Sequence, residues 1–154
     1  MYDVKPFTTA HASACGPACL KMILVYYGKE IPFDTLVAEC GITVTGTTIS
    51  NLLRVGKAHG LDMRAYKMDA QDVLNLDRPA IIHWRYTHFV VFCGRDENGE
   101  PVICNSASGR FSLPIDDFKR FYTGYALTNG QNDDAFPEDY FGEKSEEPDN
   151  YFDG

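Results

Sequence analysis

At 154 residues, 44% hydrophobic and 13% aromatic, the chain can bury one compact core and has little room for a second. No apolar run approaches the ~18 residues that cross a bilayer, and the first thirty residues lack the basic-then-apolar order of a secretory signal. The formal charge of −8 lies entirely in residues 131–154, which hold nine acids and one base; residues 1–130 balance 13 bases against 13 acids, which argues against a basic nucleic-acid footprint on the body.

Residues 1–14 read as a leading loop or short strand. A helix follows, since Cys19, Met22, Ile23 and Tyr26 recur with the period of one helical face. Pro17 suits its first turn, where a missing N–H costs nothing, and Gly28 ends it. A second helix is predicted over Asp34–Cys40, with Leu36 and Val37 inward and Gly41 as the stop. A third is predicted over Thr48–His59, with Ile49, Leu52, Leu53 and Gly56 on one face, a threonine cap and a closing Gly60. The period then shortens to two. Leu61, Met63 and Ala65 alternate with polar residues, and Asp69–Leu76 is a brief helical turn. Pro79–Arg85 and Thr87–Arg95 have continuous apolar centres. Asp96-Glu97-Asn98-Gly99 is a turn, Pro101–Asn105 and Arg110–Leu113 are strands, Pro114–Tyr122 is a short helix, and Tyr125–Thr128 is a last strand. Helices come first and strands second, so the expected class is α+β, with N-terminal helices packed on an antiparallel sheet. Residues 1–129 read as one domain. Residues 130–154 form an acidic tail carrying Phe136, Tyr140, Phe141, Tyr151 and Phe152. Those aromatics supply apolar area that a purely solvating tail does not need. Both a solubilising role and a regulatory docking role remain open for it.

The segment Ser13-Ala14-Cys15-Gly16-Pro17-Ala18-Cys19 puts a thiol at a helix start, where the dipole and unpaired amides favour a thiolate. His88 opens an apolar strand and Asn105 ends the next one. A hairpin between those strands makes the two residues neighbours. One ring nitrogen would then face the thiol, while the other donates to the Asn105 side-chain oxygen: nucleophile, base and orienter for acyl transfer.

In these residues the sequence resembles the papain-like double-glycine peptidases, the leader-cleaving domains at the N-terminus of bacteriocin-exporting ABC transporters. The resemblance covers residues 7–128. It rests on Ala14-Cys15-Gly16-Pro17-Ala18-Cys19-Leu20 running into Tyr26-Tyr27-Gly28, on Gly46-Thr47-Thr48 and Gly60-Leu61, and on Pro79-Ala80-Ile81-Ile82-His83-Trp84. It continues through His88-Phe89-Val90-Val91 and Asn105-Ser106-Ala107-Ser108-Gly109-Arg110. It implies a papain-like fold and cysteine peptidase activity, with Cys15 as nucleophile, His88 as general base and Asn105 as orienter. Asn105 stands where the family carries an aspartate. A glutamine that the family places six residues before the nucleophile, as an oxyanion donor, is Thr9 here. The candidate donors are therefore the Cys15 backbone N–H with Thr9, His11 or Ser13. Losing one such donor costs roughly 10²–10³ in rate. The resemblance further implies a Gly-Gly leader peptide as substrate and a narrow cleft for which Trp84 is a candidate wall; either a separate ABC transporter is the partner or the enzyme works without one. The alternative is a catalytically weak module that binds a peptide in the same cleft.

No cofactor, nucleic-acid partner or membrane insertion is expected. Cys15 and Cys19 share a helical face, but a zinc site needs about four ligands and no second close pair exists, so no metal is expected. Cys19, Cys40, Cys93 and Cys104 read as small core residues and His83 as structural. His59 reads as a cation at a helix end, and Asp116 and Asp117 as helix caps. Residues 41–46 lack the Gly-Lys-Ser/Thr ending of a phosphate loop. Five cysteines, an odd count without disulfide-framework spacing, point to a reducing, cytoplasmic setting.

Overall fold

The structure, a computed structural model, describes residues 1–43 and 46–129; the acidic tail with its aromatics lies outside the described residues. The leading segment runs without regular structure into a single 3-10 turn, Ala12–Ala14. Its backbone is tied to the body at both ends. Tyr2 N–H donates to the Cys93 carbonyl at 2.8 Å and Thr9 N–H to the Ser106 carbonyl at 2.9 Å.

Three helices follow: α1 (Cys15–Tyr26), α2 (Phe33–Cys40) and α3 (Ile49–Ala58). Helix α1 buries more than the predicted stripe. Leu20 and Leu24 are sealed along with Cys19, Met22 and Ile23, because α2 and α3 flank it and the sheet lies against it. Helix α2 stops at Gly41, which takes a left-handed φ of 64°. Leu36 is buried as expected, whereas Val37 is only half-buried. Thr48 caps α3 by accepting the Asn51 N–H at 3.0 Å.

The sheet holds six strands: β1 (Met63–Lys67), β2 (Ala80–Trp84), β3 (His88–Arg95), β4 (Pro101–Asn105), β5 (Gly109–Ser112) and β6 (Tyr122–Asn129). They are ordered β1-β6-β2-β3-β4-β5, with every paired neighbour antiparallel. Strand β6 is longer than predicted. It starts directly at the end of the last helix and threads between β1 and β2. Two short helices, α4 (Ala70–Leu74) and α5 (Ile115–Phe121), complete the fold. Phe89, Val91 and Cys93 of β3 pack with α1–α3, while Val90 and Phe92 pack with Val73 and Phe118 on the other face. The continuous apolar run of β3 is thus a strand covered on both sides. Each such fully buried side chain contributes about 1.5–3 kcal/mol. The class is α+β, with the N-terminal helices on an antiparallel sheet.

Helix α5 departs from expectation in detail. Pro114 occupies its N-cap without a side-chain hydrogen bond, so neither Asp116 nor Asp117 is the cap. Both sit in the first turn, where a carboxylate suits the dipole, and Asp117 pairs with Arg120 one turn on. His59 does close α3, but its Nε2 meets Glu39 Oε1 of α2 at 2.6 Å, a cross-helix contact that spacing alone does not reveal.

Candidate active site

The start of α1 is wedged against the loop that precedes α3. A Cβ on Gly16 would lie 2.7 Å from Thr47 Cγ2 and 3.2 Å from Leu52 Cδ2, so only glycine permits this approach. Thr47 is itself pinned, its Oγ1 donating to the Cys40 carbonyl at 2.9 Å. Cys15 is therefore placed by backbone-to-loop packing, and it is 6% exposed.

The Cys15 sulfur reaches the sheet at the first residues of β3. Burial raises its pKa above the ordinary thiol value, and hydrogen bonds from the backbone amides of Phe89, Gly16 and Cys15 itself pull it part of the way back. Desolvation thus works against the thiolate that a helix start favours, and it outweighs the three amides. The Phe89 amide belongs to the residue after His88, so the sulfur meets the backbone next to the histidine.

His88 and Asn105 are joined across the β3–β4 hairpin, Nε2 to Oδ1 at 3.2 Å. Asn105 Oδ1 also accepts the Ala107 backbone N–H at 2.8 Å. A backbone amide can only donate, so the atom it meets is the carboxamide oxygen. His88 Nε2 must then carry the proton it donates to that oxygen. The neutral ring is the Nε2–H tautomer, which leaves Nδ1 as the basic nitrogen.

The candidate oxyanion donors separate in space. Thr9 is drawn beside Asn105-Ser106 by its backbone N–H, which donates to the Ser106 carbonyl. Its Oγ1 accepts the His11 N–H at 3.3 Å, an arrangement that keeps its hydroxyl proton for another acceptor. Ser13 is half-buried, and the side chain of His11 is exposed.

His83 lies under the site on β2. Its pKa is depressed to about 3, chiefly by burial and in smaller part by the His88 charge, against a backbone hydrogen bond at Tyr86 that raises it; its Nδ1 meets the Thr123 hydroxyl. It is neutral and structural. Burial raises the thiols of Cys19 and Cys40, the latter to about 12. Cys93 donates to Cys104 with sulfurs 3.2 Å apart, a cross-strand pair that their spacing of 11 residues conceals. All five cysteines are free thiols. Among the described residues no group of three or more His, Cys, Asp or Glu could hold a metal, and no helix is long and apolar enough to cross a membrane.

Trp84 is 4% exposed and packs against Phe118 and Phe121 at 5.7 Å between ring centroids, so most of it is core. Its edge borders a pocket of about 390 Å³ that also touches His88 and Asn105. The other walls, among them Arg85, Phe111 and Phe121, are residues that sequence reasoning passed over. Arg85 and Tyr86 form the β2–β3 turn with positive φ values of 54° and 69°, yet neither is a glycine, asparagine or aspartate. Nothing in their identities signals a turn.

The peptidase C39 family model matches residues 4–134. The chain is 31% identical over 113 residues to the probable microcin-H47 secretion/processing ATP-binding protein MchF of Escherichia coli, covering 73% of this chain. It spans only 16% of that relative's length, and 16% of the colicin V secretion/processing ATP-binding protein CvaB from the same organism. An uncharacterized protein of Methanothermobacter thermautotrophicus is 29% identical over 117 residues, which cover 74% of this chain and 80% of that protein. Among solved structures, a double glycine motif protease from an AMS/PCAT transporter, in complex with its leader peptide, superposes with a TM-score of 0.78 at 30% identity. The match covers 82% of this chain and 91% of that one. The peptidase domain of Streptococcus ComA shares the fold, with a TM-score of 0.74 at 24% identity, covering 82% of this chain and 96% of that domain. With its papain-like fold and a family match over most of its length, this chain belongs to the peptidase C39 family, as a domain related to double-glycine leader peptidases.

Proposed function

We propose that the chain is a stand-alone cysteine endopeptidase that cuts after the Gly-Gly pair ending a leader peptide. The observation that carries this reading is the His88–Asn105 bond of fixed tautomer, set one residue from the amide that meets the Cys15 thiol. His88 Nδ1 takes the thiol proton as sulfur adds to the scissile carbonyl. The Cys15 N–H and the Thr9 hydroxyl stabilise the resulting oxyanion. The intermediate collapses to a thioester, and the departing amine takes the proton from His88. Water, deprotonated by His88, then releases the leader as a carboxylic acid and restores the thiol. Asn105 keeps the ring turned throughout. The substrate is a peptide with a Gly-Gly leader, and a separate ABC transporter is the partner that would export the product. The relative of similar length supports a stand-alone form. The free thiols support work in a reducing compartment, the cytoplasm.

One observation favours a second reading. A thiol whose ionisation burial opposes, with threonine at the usual glutamine position, suits a module that holds a leader peptide without cutting it. Turnover of a Gly-Gly leader peptide separates the two. Cys15→Ala lowers it by at least about 10³-fold while leader binding persists. Equal cleavage by wild type and variant removes the peptidase assignment, and binding without cleavage by the wild type selects the module.

A further inference from the structure

We propose that the pocket beside His88 and Asn105 receives a side chain from the first two residues on the leaving side of the cut bond, and that it selects an apolar ring or branched chain there. This rests on the peptidase reading above.

Position argues first. Every residue lining the pocket falls between Trp84 and Phe121, from the β2–β3 turn, the hairpin ends, β5 and α5. The thiol approaches the same strand end from α1, on the opposite face of the sheet. During acyl transfer the leader half stays bonded to sulfur. The amine half departs on the side of the group that protonates it, which is His88. A cavity bordered by the imidazole and its orienter, with no wall from α1, lies on the departing side.

Chemistry argues second. Trp84, Phe111, Leu113 and Phe121 make an apolar floor of three rings and a branched chain. A volume of about 390 Å³ falls within the range of pockets that accept small ligands. Phe111 is only partly buried, so apolar ring surface is left at the cavity. The Arg85 guanidinium lies 4.1 Å over the Phe121 ring, so it stacks on one part of the floor and leaves Trp84, Phe111 and Leu113 as the apolar part.

Backbone conformation argues third. Two consecutive non-glycine residues with positive φ are costly, and such strain concentrates at working sites. Here it is retained by the Arg85 N–H donating to the Phe121 carbonyl at 2.8 Å. That bond fixes the turn against α5 and keeps the pocket's two walls in register.

The test uses the full chain and a set of Gly-Gly leader peptides that differ only in the two residues after the cut: Ala-Ala, Phe-Ala, Ala-Phe, Leu-Ala and Ala-Leu. A leader methyl ester, whose methanol leaving group is too small to reach the pocket, serves as control. At least one Phe or Leu peptide has a kcat/KM roughly tenfold above Ala-Ala, the scale of selectivity an apolar pocket provides. Ser108→Trp, at an exposed position on the pocket wall, brings that ratio close to one. If the ester is turned over while the wild-type series is flat, or Ala-Ala is preferred, the subsite is wrong and the peptidase reading stands. If neither ester nor peptides are turned over, the peptidase reading fails and the subsite falls with it. The wild-type series decides the matter even if the tryptophan variant does not fold.

Discussion

The thiol and its two companions come from regions built in opposite ways. Cys15 sits at the head of a helix enclosed by α2, α3 and the sheet, and it is 6% exposed. His88 and Asn105 sit at the open end of the β3–β4 hairpin, both half-buried, and their bond borders a pocket. The contrast assigns the control of reactivity. The hairpin side fixes ring direction and tautomer in advance through two hydrogen bonds on one oxygen. The helix side opposes ionisation of the sulfur through burial. The two sides therefore pull differently, one preparing a base and the other resisting the loss of the thiol proton.

The largest effect belongs to the hairpin. Asn105→Ala removes the acceptor for His88 Nε2 and for the Ala107 amide together, and kcat/KM for a Gly-Gly leader peptide drops by roughly 10²-fold or more. Asn105→Asp keeps an oxygen in place and stays within about tenfold of wild type. Equal losses in both variants would mean that the residue shapes the turn and does not orient the ring.

The next effect belongs to the helix side. Thiolate is the reactive form, so a raised pKa means that each step down in pH below it removes reactive sulfur. Alkylation of Cys15 by iodoacetamide, followed by peptide mapping, rises about tenfold per pH unit from neutral pH to beyond the ordinary thiol value. A rate that levels off in the acid range would reveal a preformed ion pair and erase the contrast between the two regions. A smaller effect tests the packing that positions the sulfur. Gly16→Ala forces a methyl group against Thr47 and Leu52. It destabilises the fold by about 1–3 kcal/mol in denaturant titrations. An unchanged midpoint would show that the loop yields freely and does not hold Cys15.

Much of this was legible in the residues where a local rule operates. The apolar spacing from Cys19 to Tyr26 marked α1, Gly41 and Gly60 marked stops, and Thr48 is the cap it was read as. The nearness of His88 and Asn105 followed from one tight turn between two apolar strands. What escaped is non-local or lacks a composition signal. The pairing of β1 with β6 joins residues some sixty positions apart. The contact of His59 with Glu39 links two helices, and the Cys93–Cys104 pair needs the strand register. The Arg85-Tyr86 turn carries none of the residues that announce left-handed backbone. Cys15 is legible only in part for a different reason. A helix start predicts a favourable field, and only the packed fold adds the desolvation that opposes it.

The most direct test is a crystal structure of the chain with a leader peptide ending in a Gly-Gly aldehyde. The account predicts a covalent hemithioacetal on the Cys15 sulfur, its oxygen within roughly 2.7–3.1 Å of the Cys15 N–H and the Thr9 hydroxyl, and His88 Nδ1 turned to the sulfur. An aldehyde held in the groove without a bond to Cys15, with the sulfur directed into the core, would contradict it.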